Sequence, residues 1–391
     1  MDKSKRRGAG EGLIRLRSDG RWEARLSLGW EGGKRKRKSY FGASQGEVKD
    51  KLLAARSDHS RGLLISAKAQ TLGAFLDDWL LRSLKPRAKA RAFESFSSIT
   101  RLHIKPTLGN VPLHKLSPQH ISRLLHEKTT AGLSPQSVTN IKTVLRSALQ
   151  QALKWALVSR NSAALVDAPR IPRKQIVPFD AEQAGRLLEA AKGSRYEAVY
   201  QLALMLGMRR GELLGLRWAD VDLDGRTLRV SQSLQRIATG TDAKGKKTAL
   251  LATEVKTDGS RRTIALPDSI VRALRAHKAR QAQERLLAGA SWEDHGLVFT
   301  TRNGRPIEPI TLHRDYKALL DKAGLPTTMR FHDCRHSAAS LLLAQGISPK
   351  MIADLLGHSR IGITMDLYGH ILPAMRRDTA DVMDRILGGR S

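Results

Sequence analysis

Three prolines within twelve residues, Pro169, Pro172 and Pro178, divide this 391-residue chain into two unequal parts. Proline fixes one backbone torsion and removes a hydrogen-bond donor, so such a run cannot lie inside a helix or a central strand. We therefore interpret residues 167–178 as an extended linker. At about 150 residues per domain, the chain is expected to contain two or three domains, each with its own core.

The charge of the chain is strongly positive and unevenly distributed. Lys and Arg outnumber Asp and Glu by 68 to 37, which gives a formal charge of +31, and residues 1–175 carry 22 of these 31 charges. A single basic run such as residues 34–38 is as often solvated surface as a binding site. An excess of this size instead indicates a polyanionic partner, and nucleic acid is the first candidate.

Features that the sequence lacks exclude several classes of protein. The single cysteine, Cys334, cannot form a disulfide within the chain, and no apolar stretch follows the basic amino terminus. No run of about 18 apolar residues is present, so we expect a cytoplasmic, nucleoid-associated bacterial protein that does not enter a membrane. Walker-type phosphate loops, GxGxxG segments and paired CxxC motifs are absent, which argues against nucleotide hydrolysis and zinc fingers.

The amino-terminal pattern predicts a small antiparallel sheet followed by a helix. Strands are expected at residues 12–17, 22–28 and 34–41, and Ser44 is expected to cap a helix that runs to about Ser57. Apolar and polar side chains alternate along the second strand, which predicts one buried face and one face free for contact with DNA. The alternative is a sheet whose basic residues only confer solubility. The candidate DNA-binding residues are Arg15, Arg17, Arg25, Lys34, Arg35, Lys36, Arg37 and Lys38.

From Thr71 onward the pattern becomes helical. Two Ser-Pro pairs, Ser117-Pro118 and Ser134-Pro135, each place a cap residue before a proline at the first helical position. The second pair begins a helix with one apolar stripe, and Lys142 and Arg146 lie beside that stripe as candidate DNA contacts. The stripe consists of Val138, Ile141, Leu145, Ala148, Leu149, Ala152, Leu153 and Ala156.

After the linker, Asp180 and Gln183 predict a capping box at the start of a mainly helical domain with a strand-rich insert at about residues 226–266. The predicted fold class is therefore multidomain and mostly α with a small β component. We expect three domains, at residues 1–65, 66–170 and 171–391.

Five segments with reactive side chains follow one another in this last domain. They are residues 207–212 (GMRRGE), 256–262 (KTDGSRR), 332–336 (HDCRH), 356–359 (LGHS) and Tyr368. Together they resemble the tyrosine recombinase (phage integrase) family, and the resemblance covers nearly the whole chain. The upstream modules resemble the arm-site-binding sheet and the helical core-site-binding domain of phage-type integrases. By this resemblance, the residues that cleave and rejoin DNA are Arg209, Lys256, His332, Arg335, His358 and Tyr368.

Elementary chemistry supports the same set without the resemblance. Attack on a phosphodiester places negative charge on the non-bridging oxygens, and the forked guanidinium groups of Arg209 and Arg335 can hold that charge. A tyrosine with an ordinary pKa near 10 must lose its proton as it attacks, and His332 is the first candidate for the base. Lys256 can then protonate the leaving 5′ oxygen, while His358 hydrogen-bonds the phosphate. The phosphotyrosine ester retains the bond energy, so we expect no metal, ATP or other cofactor.

Several residues in these segments have simpler interpretations. Arg209 could be a surface cation paired with Glu212, although we expect Glu212 to orient it. Lys256 competes with the nearby lysines 244, 246 and 247, since the long segment 239–252 departs from the family pattern. Cys334 also departs from that pattern, and we expect it to point into the core. With no second cysteine, it cannot complete a zinc site with His332 and His336. His336 and His370 are expected to be structural.

The leading hypothesis is a site-specific recombinase, the integrase of a phage or another mobile element. It would act as a homotetramer on double-stranded DNA with core and arm attachment sites, and a DNA-bending accessory protein could assist it. Apolar residues between 371 and 387 would form a helix that packs on a neighbouring subunit or on its own domain. A type IB topoisomerase and a non-catalytic DNA-binding regulator are the alternatives.

Overall fold

The computed structural model describes residues 13–31, 34–60, 70–172, 177–242, 245–254, 261–358 and residue 362. Contacts between α-carbons divide the chain into two compact units, Met1–Pro172 and Arg173–Ser391. Among the described helices, none is both long and apolar enough to span a membrane.

The first unit begins with a three-stranded antiparallel sheet and one helix. The strands are β1 (Leu13–Leu16), β2 (Trp22–Glu31) and β3 (Lys34–Gly42), in the order β1-β2-β3, and α1 (Gln45–Ser60) follows them. The Ser44 hydroxyl accepts a hydrogen bond from the Glu47 amide, as its predicted cap role requires. Strand β2 extends three residues beyond the predicted Leu28. The core of this module consists of Ala24, Leu26, Val48, Leu52 and Ala55.

Among residues 70–172, the regular elements that the structure describes are all helices. The α-helices are α2 (Leu72–Asp78), α3 (Ala90–Ile99), α4 (Lys105–Leu108), α5 (Pro118–Thr130) and α6 (Pro135–Lys154). Two π-helical stretches, Trp79–Leu84 and Thr100–Ile104, continue α2 and α3. Ser117 and Ser134 accept hydrogen bonds from the amides of His120 and Ser137, as the Ser-Pro pairs predict.

The predicted stripe of α6 is buried over most of its length. Val138, Ile141, Leu145, Ala148, Leu149 and Ala152 all lie in the core of the helical module. Two members of the stripe were predicted wrongly. Leu153 lies at the edge of the stripe and is 36% exposed. Ala156 lies beyond the helix end at Lys154, and its φ of 54° places it in the left-handed region.

The second unit combines helices with a short sheet and a long hairpin. Strands β4 (Val221–Asp222), β5 (Thr227–Val230) and β8 (Arg262–Ala265) form the sheet, and β6 (Gln232–Asp242) pairs with β7 (Gly245–Glu254). The α-helices are α7 (Ala181–Ala191), α8 (Glu197–Met205), α9 (Arg210–Leu214), α10 (Asp268–Ala288), α11 (Pro309–Lys322), α12 (Asp333–Ala344) and α13 (Pro349–Leu356). The predicted class, mostly α with a small β component, is confirmed.

A buried core fixes the helices of the second unit. Asp180 and Gln183 form the predicted capping box at the start of α7. The rings of Tyr316 and Phe331 pack edge to face with centroids 5.3 Å apart. Cys334 is fully buried, and its thiol points at the Tyr316 hydroxyl over 3.7 Å. The cysteine is therefore part of the core, as the sequence predicts.

We expect Leu145→Ala to destabilise the helical module by about 2–5 kcal/mol, because it removes a fully buried side chain and leaves a cavity. Leu153→Ala on the same helix is the matched control, with an expected cost below about 1 kcal/mol. Hydrogen exchange of the α5 and α6 amides in the full-length protein measures both effects. Equal costs for the two variants would contradict the burial pattern.

Candidate active site

Arg209 lies just before the first residue of α9 and is held by the carboxylate of Glu212. The backbone amide of Arg209 donates to Glu212 Oε2 over 3.0 Å, and its Nη1 donates to Oε1 over 2.7 Å. Its Nη2 also donates to the carbonyl of Gly357 over 3.1 Å. The Arg209 side chain remains 36% exposed while that of Glu212 is 2% exposed. The guanidinium group is thus held by Glu212 and Gly357, and the side chain remains partly accessible to solvent.

Two glycines allow this segment to pack closely against its neighbours. Gly207 has a φ of +61°, and a Cβ on it would overlap the side chain of Leu356. A Cβ on Gly211 would collide with the Ser233 hydroxyl on β6. The GMRRGE segment therefore needs glycine at both positions in order to lie between α13 and the β6–β7 hairpin.

Arg335 and His332 lie at the start of α12. Arg335 is 3% exposed, and it donates from Nη1 to the Gly207 carbonyl over 2.8 Å and from Nη2 to the Leu356 carbonyl over 2.6 Å. His332 occupies the cap position and is exposed, with its ring perpendicular to that of His336 at a centroid distance of 5.0 Å. Arg335 therefore joins the segment before α9 to the end of α13.

The end of α13 brings these residues together. Three successive carbonyls, of Leu355, Leu356 and Gly357, accept hydrogen bonds from Arg262, Arg335 and Arg209 respectively. Gly357 has φ 68° and ψ 51°, and the His358 amide then donates to the Ala353 carbonyl over 2.9 Å. This is the hydrogen bond of a Schellman motif, and it fixes the backbone of His358.

No role was predicted for Arg262, although it is the last residue of the KTDGSRR segment. Its Nε donates to the Leu355 carbonyl over 2.7 Å and its Nη2 donates to Glu212 Oε2 over 2.9 Å. The side chain is only 7% exposed. The alternation along β8 is a signal that could have found this residue, because Arg262 shares a strand face with the buried Ile264 whereas Arg261 does not. The alternation does not identify Glu212 as its partner.

Both described histidines of the site favour the neutral form. Desolvation by nearby protein atoms, followed by the positive charges of His336, Arg335 and Arg209, lowers the pKa of His332 to about 4. Burial, then Arg335 and Arg209, lower the pKa of His358 to about 4 as well. The same two arginines act on both rings, so these four groups lie within electrostatic reach of one another. At neutral pH each imidazole is therefore uncharged.

Two of the six predicted catalytic residues, Lys256 and Tyr368, lie outside the described residues. The same holds for His370 and for residues 371–387 of the predicted terminal helix. Their roles stay predictions. Within the described ranges, no cluster of three or more His, Cys, Asp or Glu side chains that could bind a metal ion was found.

The amino-terminal sheet separates the predicted DNA-binding residues between its two faces. Arg15 pairs with Glu23, and Ser27 pairs with Arg37, so Arg15, Arg25 and Arg37 lie on the face opposite α1. Lys38 instead pairs with Leu26 and contacts the Tyr40 ring at 5.8 Å, on the face that packs on α1. Arg17 lies over the Phe41 ring at 5.4 Å. Residues 34–36 belong to β3, but their side chains lie outside the described set.

Glu23 corrects the expectation that the open face of β2 is free. This side chain is 2% exposed because Arg15, Arg25 and Ser39 surround it. Hydrogen bonds from Arg25, then Ser39 and Arg15, outweigh desolvation and lower its pKa to about 2. Arg15 and Arg25 each contact Glu23 through both Nε and Nη2, so the carboxylate orders both guanidinium groups.

Of the two candidates on α6, Arg146 is exposed and Lys142 is half-buried. Arg146 lies in a shallow groove of about 600 Å³ whose lining also includes Arg87 and Lys154. Lys142 does not line this groove. The groove therefore groups Arg146 with two cations that sequence reasoning did not select.

The profile of the phage integrase family matches residues 178–375, and the profile described as "Phage integrase, N-terminal SAM-like domain" matches residues 71–129. A protein named integrase from Streptomyces ambofaciens is 33% identical over 390 residues, which cover 98% of each chain. The chain belongs to the phage integrase family.

Solved structures share the fold of this phage integrase family member. The Tn1549 transposon integrase in complex with transposon right end DNA matches with a TM-score of 0.66 at 20% identity, over 82% of this chain and 100% of that one. A lambda integrase tetramer bound to a Holliday junction matches with a TM-score of 0.53 at 20% identity, over 93% and 97% of the two chains. The family resemblance inferred from the five segments is confirmed.

In this phage integrase family member, His332 and His358 should titrate with midpoints near pH 4 in the DNA-free protein, as measured by NMR of ¹³C-labelled histidine. Arg209→Gln should raise both values, because it removes a positive charge that disfavours the imidazolium forms. His277, whose pKa is lowered by burial and whose charged neighbours include Arg280 and Arg195, should not move and is the control.

The same shifts set the direction of a pH effect on stability. Because the folded pKa values lie below the ordinary 6.5, the folded protein takes up fewer protons than the unfolded chain. The contribution of both rings to the free energy of unfolding is fully present above pH 6.5 and is lost as the pH falls through about 4. Midpoints near 6.5 in the folded protein would contradict this electrostatic description.

Proposed function

We propose that this chain is a site-specific DNA recombinase, the integrase of a phage or another mobile element. The observation that carries the proposal is the end of α13, where three successive carbonyls bind three arginines and where His358 follows directly. Such a cluster of fixed guanidinium groups next to neutral imidazoles suits one chemistry above all, namely attack on a phosphodiester.

In this proposal the positive charges of Arg209 and Arg335 stabilise the pentavalent phosphate, and His358 hydrogen-bonds it. Tyr368 attacks and forms a 3′-phosphotyrosine ester. His332 accepts the phenolic proton, as its neutral state at working pH permits. Lys256 protonates the 5′ oxygen that leaves. The reaction needs neither a metal ion nor ATP, since the arginines supply the positive charge and the ester retains the bond energy.

We also propose a division of labour along the chain. Residues 1–65 recognise arm sites through the open face of the sheet, residues 66–170 bind the core site, and residues 171–391 carry out catalysis. Four copies would assemble on two duplexes, by analogy with the lambda integrase tetramer bound to a Holliday junction. The profile matches at residues 71–129 and 178–375 support the two later boundaries.

Tyr368→Phe should abolish the covalent protein–DNA adduct on a nicked suicide duplex while duplex binding stays within about twofold, because only the nucleophilic oxygen is removed. Tyr196→Phe in the same unit is the matched control and should form the adduct normally. Denaturing electrophoresis of the trapped product measures the outcome. Adduct formation by Tyr368→Phe, or its loss when EDTA is added to the wild type, would contradict the proposal.

The same assay separates the two alternatives. A linear substrate with two attachment sites yields exchanged products only with a recombinase, whereas a type IB topoisomerase would relax supercoiled DNA without exchange. A DNA-binding regulator would bind the duplex without any adduct. Exchange that depends on Tyr368 therefore supports the integrase over both.

Affinity for a random-sequence duplex should fall linearly with salt on logarithmic axes, with a slope of several units, because basic side chains displace counterions. Arg25→Gln should reduce the slope by about 0.9, the value for one phosphate contact. Lys38→Gln, on the face that packs on α1, should leave the slope unchanged. Equal effects of the two variants would show that the register of the sheet does not decide which side chains reach DNA.

A further inference from the structure

A phosphate-binding arginine paired with a carboxylate presents an electrostatic problem. Glu212 holds Arg209 in place through two hydrogen bonds, but its negative charge also opposes the field that Arg209 exerts on a phosphate. The pair by itself has no net charge. A site built only from Arg209 and Glu212 would thus be well ordered but weak in electrostatic stabilisation.

Arg262 changes this balance. It approaches the same carboxylate from another element, with Nη2 at 2.9 Å from Oε2 and Nη1 at 3.4 Å from Oε1. The three groups together carry one positive charge. The Arg262 side chain is 7% exposed whereas that of Arg209 is 36% exposed. Arg262 is therefore the buried partner of Glu212, and Arg209 is the partner that solvent or a ligand can reach.

The ionisation of Glu212 agrees with this arrangement. Burial alone would raise its pKa, yet the hydrogen bond and charge of Arg262, followed by those of Arg209, hold the pKa below the ordinary value. The carboxylate is therefore charged at neutral pH. Both arginines thus act on one charged carboxylate.

We propose that Arg262 is a positioning residue that offsets the charge of Glu212, so that Glu212 can orient Arg209 without neutralising it. The hydrogen bond from Arg262 Nε to the Leu355 carbonyl keeps the guanidinium group in this place. The inference rests on the proposed function, because it assumes that Arg209 binds the scissile phosphate. Arg262 itself touches no substrate in this proposal.

The decisive experiment compares Arg262→Gln, Glu212→Gln and the double variant in single-turnover adduct formation on the suicide duplex. Arg262→Gln should slow the reaction about 10²–10³-fold, the range for loss of one stabilising donor. The double variant should react at least about tenfold faster than Arg262→Gln, because removal of the carboxylate restores the net charge. If Arg262 had only a structural role, the double variant would react no faster than Arg262→Gln, and that result would overturn the inference.

Two further variants keep the test decisive even if Arg262→Gln does not fold. Arg262→Lys retains the charge and should react within about tenfold of the wild type. A loss of about 10² or more in a folded Arg262→Lys protein would overturn the inference. Arg261→Gln, which removes an exposed neighbour paired with Glu254, is the matched control and should react like the wild type.

A substrate without charge at the cleavage position separates the two roles, because a purely structural defect of Arg262→Gln would be the same on both substrates. With a methylphosphonate at the cleavage position, one negative charge is gone and less positive charge is needed. The defect of Arg262→Gln relative to the wild type should therefore shrink at least about tenfold, and an unchanged defect would overturn the inference.

Failure of the proposed function gives a different result from failure of this inference. If the wild type forms no Tyr368-dependent adduct, the proposed function is wrong. If the wild type forms the adduct and Arg262→Gln forms it at the same rate, only the role of Arg262 is wrong.

Discussion

The carboxyl-terminal end of α13 is the constraint on which the candidate site depends. The last carbonyls of a helix lack partners within it and carry partial negative charge. Here Leu355, Leu356 and Gly357 direct these carbonyls at three arginines from three other parts of the chain. Because these backbone atoms bind the guanidinium groups, the positions of the arginines depend on the packing of α13, and the Glu212 carboxylate holds Arg209 and Arg262 in addition.

Two of the three regions that we propose to contact DNA each contain one buried carboxylate shared by two arginines. Glu212 lies between Arg209 and Arg262, and Glu23 lies between Arg15 and Arg25. A carboxylate accepts several guanidinium hydrogen bonds at once, so it can order two long side chains. Since two positive charges face one negative charge, each cluster is ordered and still attractive to phosphate.

Local sequence patterns predicted the secondary structure well where the signal spans a few residues. The Ser-Pro caps of α5 and α6, the capping box of α7 and the cap at Ser44 all formed. Such signals work because a cap satisfies amides two or three positions away. The prediction was wrong for Leu153 and Ala156, since the end of a helix depends on the tertiary contacts of the last turn.

By itself the sequence determined the fold class, the family and the candidates for the reactive side chains, because ordered motifs and periodic patterns are properties of the linear chain. Only the tertiary structure decided which charges act together. Arg262 meets Glu212 across 50 residues, and Arg209 meets Gly357 across 148. It also decided that Glu23 is buried and that Lys38 lies on the face packed on α1. Hydrogen bonds over such separations depend on how helices and strands pack, and no local pattern encodes that.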